Sequence, residues 1–131
     1  MSAVIQILLG DRKMSAQVMV GASRTASFRA TVRAQSAVTI ATPGATIDGV
    51  TMVAGERFWA PSQGTATQDG LYIWNGASVP ATRAPEMPVG MDVAGMLISI
   101  SEGTDAGKVA QVTNAVAAGI IGTHGLTDAF V

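Results

Sequence analysis

Gly103-Thr104-Asp105-Ala106-Gly107-Lys108 is the stretch of this sequence that comes nearest to a phosphate cradle. A phosphate loop offers an anion its backbone N–H groups and a lysine, and needs four residues between its glycines and Ser or Thr after the lysine. Here three residues separate the glycines and Val109 follows the lysine. The flanking segments read as strands, so no helix N-terminus is present to receive a phosphate. His124, the single histidine, lies in Gly122-Thr123-His124-Gly125, a glycine-rich setting without the rigid nucleophile and orienting acid that base catalysis requires. Asp92, Glu102 and Asp105 lack the alternating acidic spacing of a calcium loop and read as a solvated acidic edge. No pair of carboxylates stands out for glycoside cleavage. The chain has no cysteine, which removes disulfides, thiol nucleophiles, cysteine-held zinc and iron–sulfur sites. The expectation is a protein that is not an enzyme and carries no catalytic residue, cofactor or metal.

Contact chemistry is the other possibility. Trp59, Tyr72 and Trp74 hold half of the aromatic residues. On a strand, Tyr72 and Trp74 share one face and Leu71 and Ile73 the other, so both faces are apolar. Two readings are open: an inner strand buried twice, or an aromatic patch for a partner subunit or a sugar. Charge is unevenly placed although the formal net charge is −1. From Met1 to Arg33, five basic residues (Arg12, Lys13, Arg24, Arg29, Arg33) face one acid, Asp11, giving +4; the remainder has three basic and eight acidic residues, giving −5. Arg24, Arg29 and Arg33 are candidate contacts to a partner or a neighbouring copy, against the plainer reading of a solvated strand face. Nucleic acid is not expected, because only Phe28 interleaves the charges.

The elements that must position these residues are strands. Ser27 to Arg33 alternates, with Phe28, Ala30 and Val32 on one face and the arginines on the other. Ile47-Asp48-Gly49-Val50 has the Asp-Gly pair of a two-residue hairpin. A turn at Ala54-Gly55 precedes a strand at Arg57-Phe58-Trp59, Ser62 to Gly70 reads as a loop, and Leu71 to Trp74 is a strand ended by Asn75-Gly76. Pro80, Pro85 and Pro88 make Val79 to Gly90 an extended surface crossing. Val93 to Ile100 and Lys108 to Thr113 are the last two strands. Ala3 to Leu9 and Gln17 to Val20 are candidate short strands on an arm. Asn114 to Val131 reads as an irregular tail, since Gly119, Gly122 and Gly125 weaken its helix potential. The fold expected is all-β, a small antiparallel barrel or sandwich, with an arm at 1–26, a β domain at 27–113 and a tail at 114–131.

The chain has 131 residues, enough for one domain, and only 13 % are charged against about a quarter in soluble domains. So few charges suit a surface covered by copies of the chain or by a partner. Val4 to Leu9 is too short to span a bilayer and lacks a basic leader, so neither a membrane span nor a secretory signal is expected.

The order of motifs is informative. Val32-Arg33-Ala34, Ile47-Asp48-Gly49-Val50, Val53-Ala54-Gly55-Glu56-Arg57, Gln68-Asp69-Gly70-Leu71-Tyr72, Ala81-Thr82-Arg83-Ala84 and Ser101-Glu102-Gly103-Thr104 follow one another. This series resembles a small β module of tailed-bacteriophage tail-fibre and other virion proteins, across about Val32 to Thr113. Phe58-Trp59 departs from that module's aliphatic strand residues, and Val79-Pro80-Ala81 from its aromatic, changes that suggest an altered contact surface. The motif residues themselves are mostly turn punctuation, architectural rather than chemical.

The resemblance implies a structural virion protein. Module copies in fibres belong to longer chains, and this one is read as free-standing. From its size and layout the expected role is a decoration protein that stabilises the outer surface of the phage head, made in the bacterial cytoplasm. Expected partners are the major capsid protein and copies of itself, as a trimer. The alternative is a tail or tail-fibre component for attachment or host-glycan contact, with tail proteins as partners.

Overall fold

The computed structural model describes residues 29–131. The protein is all-β, with ten short strands and one 3-10 turn, at Ala66–Gln68, among the described residues. In chain order the strands are β1 (Arg29–Val32), β2 (Ala34–Gln35), β3 (Thr46–Ile47), β4 (Val50–Thr51), β5 (Arg57–Ala60), β6 (Gly70–Ile73), β7 (Thr82–Arg83), β8 (Leu97–Ile100), β9 (Val109–Val112) and β10 (Asp128–Phe130). They form two four-stranded sheets, β1-β8-β9-β10 and β2-β5-β6-β7, and a hairpin of β3 and β4. The sheets do not close into a barrel.

Most pairings are antiparallel, but β1 on β8 and β2 on β5 are parallel. The antiparallel character expected from the sequence holds for the other pairings, and these two are the exceptions. The cause is one continuous segment: residues 29–35 run along an edge of the first sheet and pass directly into an edge of the second. Ala30 and Val32 feed one apolar cluster and Ala34 the other.

Alternation along β5 and β6 creates these two clusters. Trp59 and Leu71, paired across the strands, point into the core shared with Val32, Ile98, Ile100, Ala110 and Val112 of the first sheet. Phe58 and Tyr72, also paired, point the other way, with Trp74, onto Ile47, Val50 and Met52 around the hairpin. The middle sheet is therefore covered on both faces. Phe58 and Tyr72 stack with ring centroids 5.8 Å apart, and the Trp74 indole N–H donates to the Gly44 carbonyl at 2.8 Å, fixing the loop before the hairpin.

The hairpin turn requires its sequence. Asp48 and Gly49 have φ of 50° and 76°, a two-residue turn with both central residues left-handed. Gly49→Ala is expected to cost about 1–2 kcal/mol, read as a lower denaturation midpoint with unchanged slope, because a Cβ is strained there although nothing lies within 4 Å of it.

Three further expectations change. Only Leu97–Ile100 of Val93–Ile100 is strand, because Gly95 is left-handed and the Met96 N–H closes a turn onto the Val93 carbonyl. The proline-rich crossing contains β7, an edge strand between Pro80 and Pro85, and it buries Ala81, Ala84 and Met87. Residues 114–131 are irregular up to 127, as expected, but they are part of the body and not a separate tail: β10 pairs with β9, Asp92 bridges Ile120, and Ile121 and Leu126 are buried in the first core.

Candidate functional site

The charged residues of the motifs converge on one another. Arg33 follows β1 and its guanidinium reaches two acids: Nη1 donates to both Glu56 oxygens at 2.6 and 2.8 Å, and Nη2 to Glu102 Oε1 at 2.7 Å. Glu56 is held in turn by the Val53 backbone N–H at 2.8 Å, inside the turn that Gly55 forms. Arg57 makes a bidentate pair with Glu86. Gln35 donates to Asp105 at 2.8 Å. Strand β2, the turn before β5 and the β8–β9 loop are thereby tied together across large sequence separations.

The phosphate-like loop is occupied by the protein's own carboxylate. Asp48 Oδ2 accepts from the Thr104 N–H at 2.8 Å and Oδ1 from the Thr104 hydroxyl at 3.0 Å. A Cβ on Gly103 would lie 2.6 Å from Asp48 Oδ2, so only glycine allows the hairpin turn to approach. A carboxylate already accepts what a phosphate would need, and it would repel one.

Asp69 and Arg83 form the second set. Asp69, 3 % exposed, accepts from the Gln63 N–H at 2.6 Å and the Leu126 N–H at 2.7 Å. Arg83 crosses Gly70 to donate to the Asp69 and Thr67 carbonyls at 3.0 and 2.6 Å, with its guanidinium carbon 5.1 Å from the Tyr72 ring centre. A Cβ on Gly70 would fall 2.5 Å from Arg83 Nη1. Burial pushes the Tyr72 phenol up, and its hydroxyl donates to the Gln68 carbonyl at 2.6 Å.

Two of these pairs carry a pH dependence. The Val53 N–H, and then the Arg33 guanidinium, hold the Glu56 carboxyl below its ordinary value of 4.5 against the cost of desolvation. Arg57 does the same for Glu86. A carboxyl with a lowered folded value adds stability above its unfolded value and loses it as the pH falls through the folded one. Melting temperature is expected to fall on acidification below about pH 4.5, and Glu86→Gln to flatten part of that fall; an unchanged acid limb in Glu86→Gln would remove Glu86 from the account.

The contact residues expected from the sequence divide. Trp59, Tyr72 and Trp74 are 0 %, 3 % and 9 % exposed, so they form core and not a patch for a subunit or a sugar. Phe58 is equally enclosed, so Phe58-Trp59 belongs to the core and not to a contact surface. Arg33 is engaged within the chain by Glu56 and Glu102. Arg29 begins β1, where its backbone pairs with Leu97. Arg24 and Phe28 lie outside the described residues, as do the candidate arm strands. His124 Nδ1 accepts from the Ile120 N–H at 3.1 Å, closing a local turn. Among the described residues no group of three or more His, Asp or Glu is placed to hold a metal ion, and no helix is long and apolar enough to cross a membrane.

Sequence reasoning missed Asp69 and Asp128. Asp128 Oδ2 accepts the Trp59 indole N–H at 2.9 Å and so links β10 to the middle sheet. Asp128 has no local signal, because Trp59 is 69 residues away, and of the two Asp69 partners only Gln63 is near in sequence while Leu126 is 57 residues away. Comparison with protein-family models, with curated proteins and with solved structures gave no match.

Proposed function

We propose that this protein is a structural component of a tailed-phage virion, a decoration protein that sits on the outer surface of the head and stabilises the shell. The observation that supports the reading is the mutual use of the motif residues. Arg33 with Glu56 and Glu102, Asp48 with Thr104, and Arg83 with the Asp69 carbonyl and Tyr72 are all internal ties. These are the residues that carry the resemblance to phage virion modules, and they are used as architecture. A body whose polar side chains are spent in this way, with few charges left over, suits a part that is surrounded in an assembly.

The experiment is binding of purified, labelled protein to expanded heads of the phage that encodes it, together with particles lacking it. Binding, and loss of heat and osmotic resistance in the deficient particles, are expected. Unbound protein and unchanged resistance would overturn the reading. Arg24 and Arg29 are the remaining basic candidates for the shell contact. Replacing both by alanine is expected to lower occupancy in a salt-dependent way, measured as bound copies per head across ionic strength.

A further inference from the structure

We propose that one ordered water molecule is bound between Arg33 Nε and Gln35 Oε1, as a structural part of the joint between the two sheets. These are two buried side-chain atoms that no protein group reaches. Every other polar atom of the two side chains is engaged: Arg33 Nη1 holds Glu56, Arg33 Nη2 holds Glu102 and Gln35 Nε2 holds Asp105. Turning the Gln35 amide round does not remove the mismatch, because its oxygen would then face the Asp105 carboxylate. What remains is one N–H donor and one carbonyl acceptor, both shielded from bulk solvent. Buried polar atoms are nearly always paired, with protein or with ordered water.

The two atoms belong to one place. Arg33 and Gln35 are two residues apart where the chain leaves β1 for β2, with buried Ala34 between them, so both side chains lie on the side away from it. Both reach the β8–β9 loop, one at Glu102 and the other at Asp105. Side chains two residues apart on an extended chain start about 6.7 Å from each other, and a water bonded to both partners bridges about 5.6 Å. The chemistry of the site selects a neutral ligand. An anion is repelled by Glu56, Glu102 and Asp105, a cation faces the Arg33 guanidinium, and an apolar group leaves both atoms unpaired. Water accepts from the Nε–H, donates one hydrogen to Oε1 and keeps a second for the nearby carboxylates. The position gives the site its consequence. Arg33 N–H donates to the Arg57 carbonyl of the second sheet at 3.0 Å, and the Arg33 carbonyl accepts from the Glu102 N–H, just after β8 of the first, at 2.8 Å. The water therefore locks the side chains of the residues at which the chain changes sheets.

The test uses the full chain alone and is independent of the virion reading. A high-resolution crystal structure is expected to show one water within about 3.2 Å of both Arg33 Nε and Gln35 Oε1. In solution, nitrogen-labelled arginine is expected to give a slowly exchanging Arg33 Nε–H resonance with a cross-peak to a long-lived water. Gln35→Met keeps the length of the side chain and removes the acceptor. It is expected to lose both the bound water and the cross-peak while the Arg33–Glu56 pair stays in place. A direct bond between Arg33 Nε and Gln35 Oε1, an ion in the site, or either atom open to bulk solvent would overturn the proposal. So would a water that stays unchanged in Gln35→Met. Should that variant fail to fold, the wild-type protein decides alone: a bridging water upholds the proposal and its absence overturns it.

Discussion

Replacing Asp69 by alanine is expected to lower the stability of the folded chain by about 3–5 kcal/mol, the largest effect of any single polar substitution considered. Its carboxylate accepts the backbone N–H groups of Gln63 and Leu126, and both contacts are buried. Removing it strands two donors, each costing about 1–3 kcal/mol when left unpaired. Asp69→Asn retains one acceptor oxygen but turns an NH2 group toward one of those donors, so about half of the loss is expected. Denaturant unfolding gives the size, and hydrogen exchange at the Leu126 amide gives the place, because Asp69 holds the final segment against the loop before β6. A loss below about 1 kcal/mol for Asp69→Ala would mean that neither donor depends on it.

Trp59→Ala is expected to cost about 3–5 kcal/mol, the range for truncating a fully buried large aromatic residue. The indole fills the core between the two sheets and its N–H is bound by Asp128. Trp59→Phe keeps most of the apolar volume and leaves Asp128 without that donor, for a smaller loss of about 1–2 kcal/mol. The pair of variants separates core from contact surface. A residue that served a partner would leave the unfolding curve in place and weaken assembly alone; a core residue moves the curve in the isolated protein.

Local signals in the sequence were reliable where the backbone itself imposed them. Asp48-Gly49 marks its hairpin because both positions need positive φ, and alternation at Ala30 and Val32 marks a strand with one buried face. The apolar residues on both faces of Leu71 to Trp74 correctly left an inner strand open, and only the placement of a core on either side of β6 decides for it. What the sequence could not convey is pairing at a distance. The parallel course of β1 and β2 depends on strands more than twenty residues away. Arg33 looked free because Glu56 and Glu102 are 23 and 69 residues from it.

The final segment misled for a related reason. Gly119, Gly122 and Gly125 weaken a helix, which is true of the isolated stretch. In the fold they permit close approach, with a Cβ at Gly119 falling 2.9 Å from Asn114, at Gly122 2.9 Å from Val89 and at Gly125 3.1 Å from Ala66. The low charge has the same double meaning. It follows partly from two buried cores in a short chain, and partly, on the reading proposed here, from a surface meant to be covered.

That this β body belongs on the outer surface of a phage head is tested most directly by imaging purified virions labelled with a gold-conjugated antibody against the protein. Gold distributed over the head is the expected result. Gold confined to the tail would replace the decoration role by a tail component, and particles without label would contradict the virion role altogether.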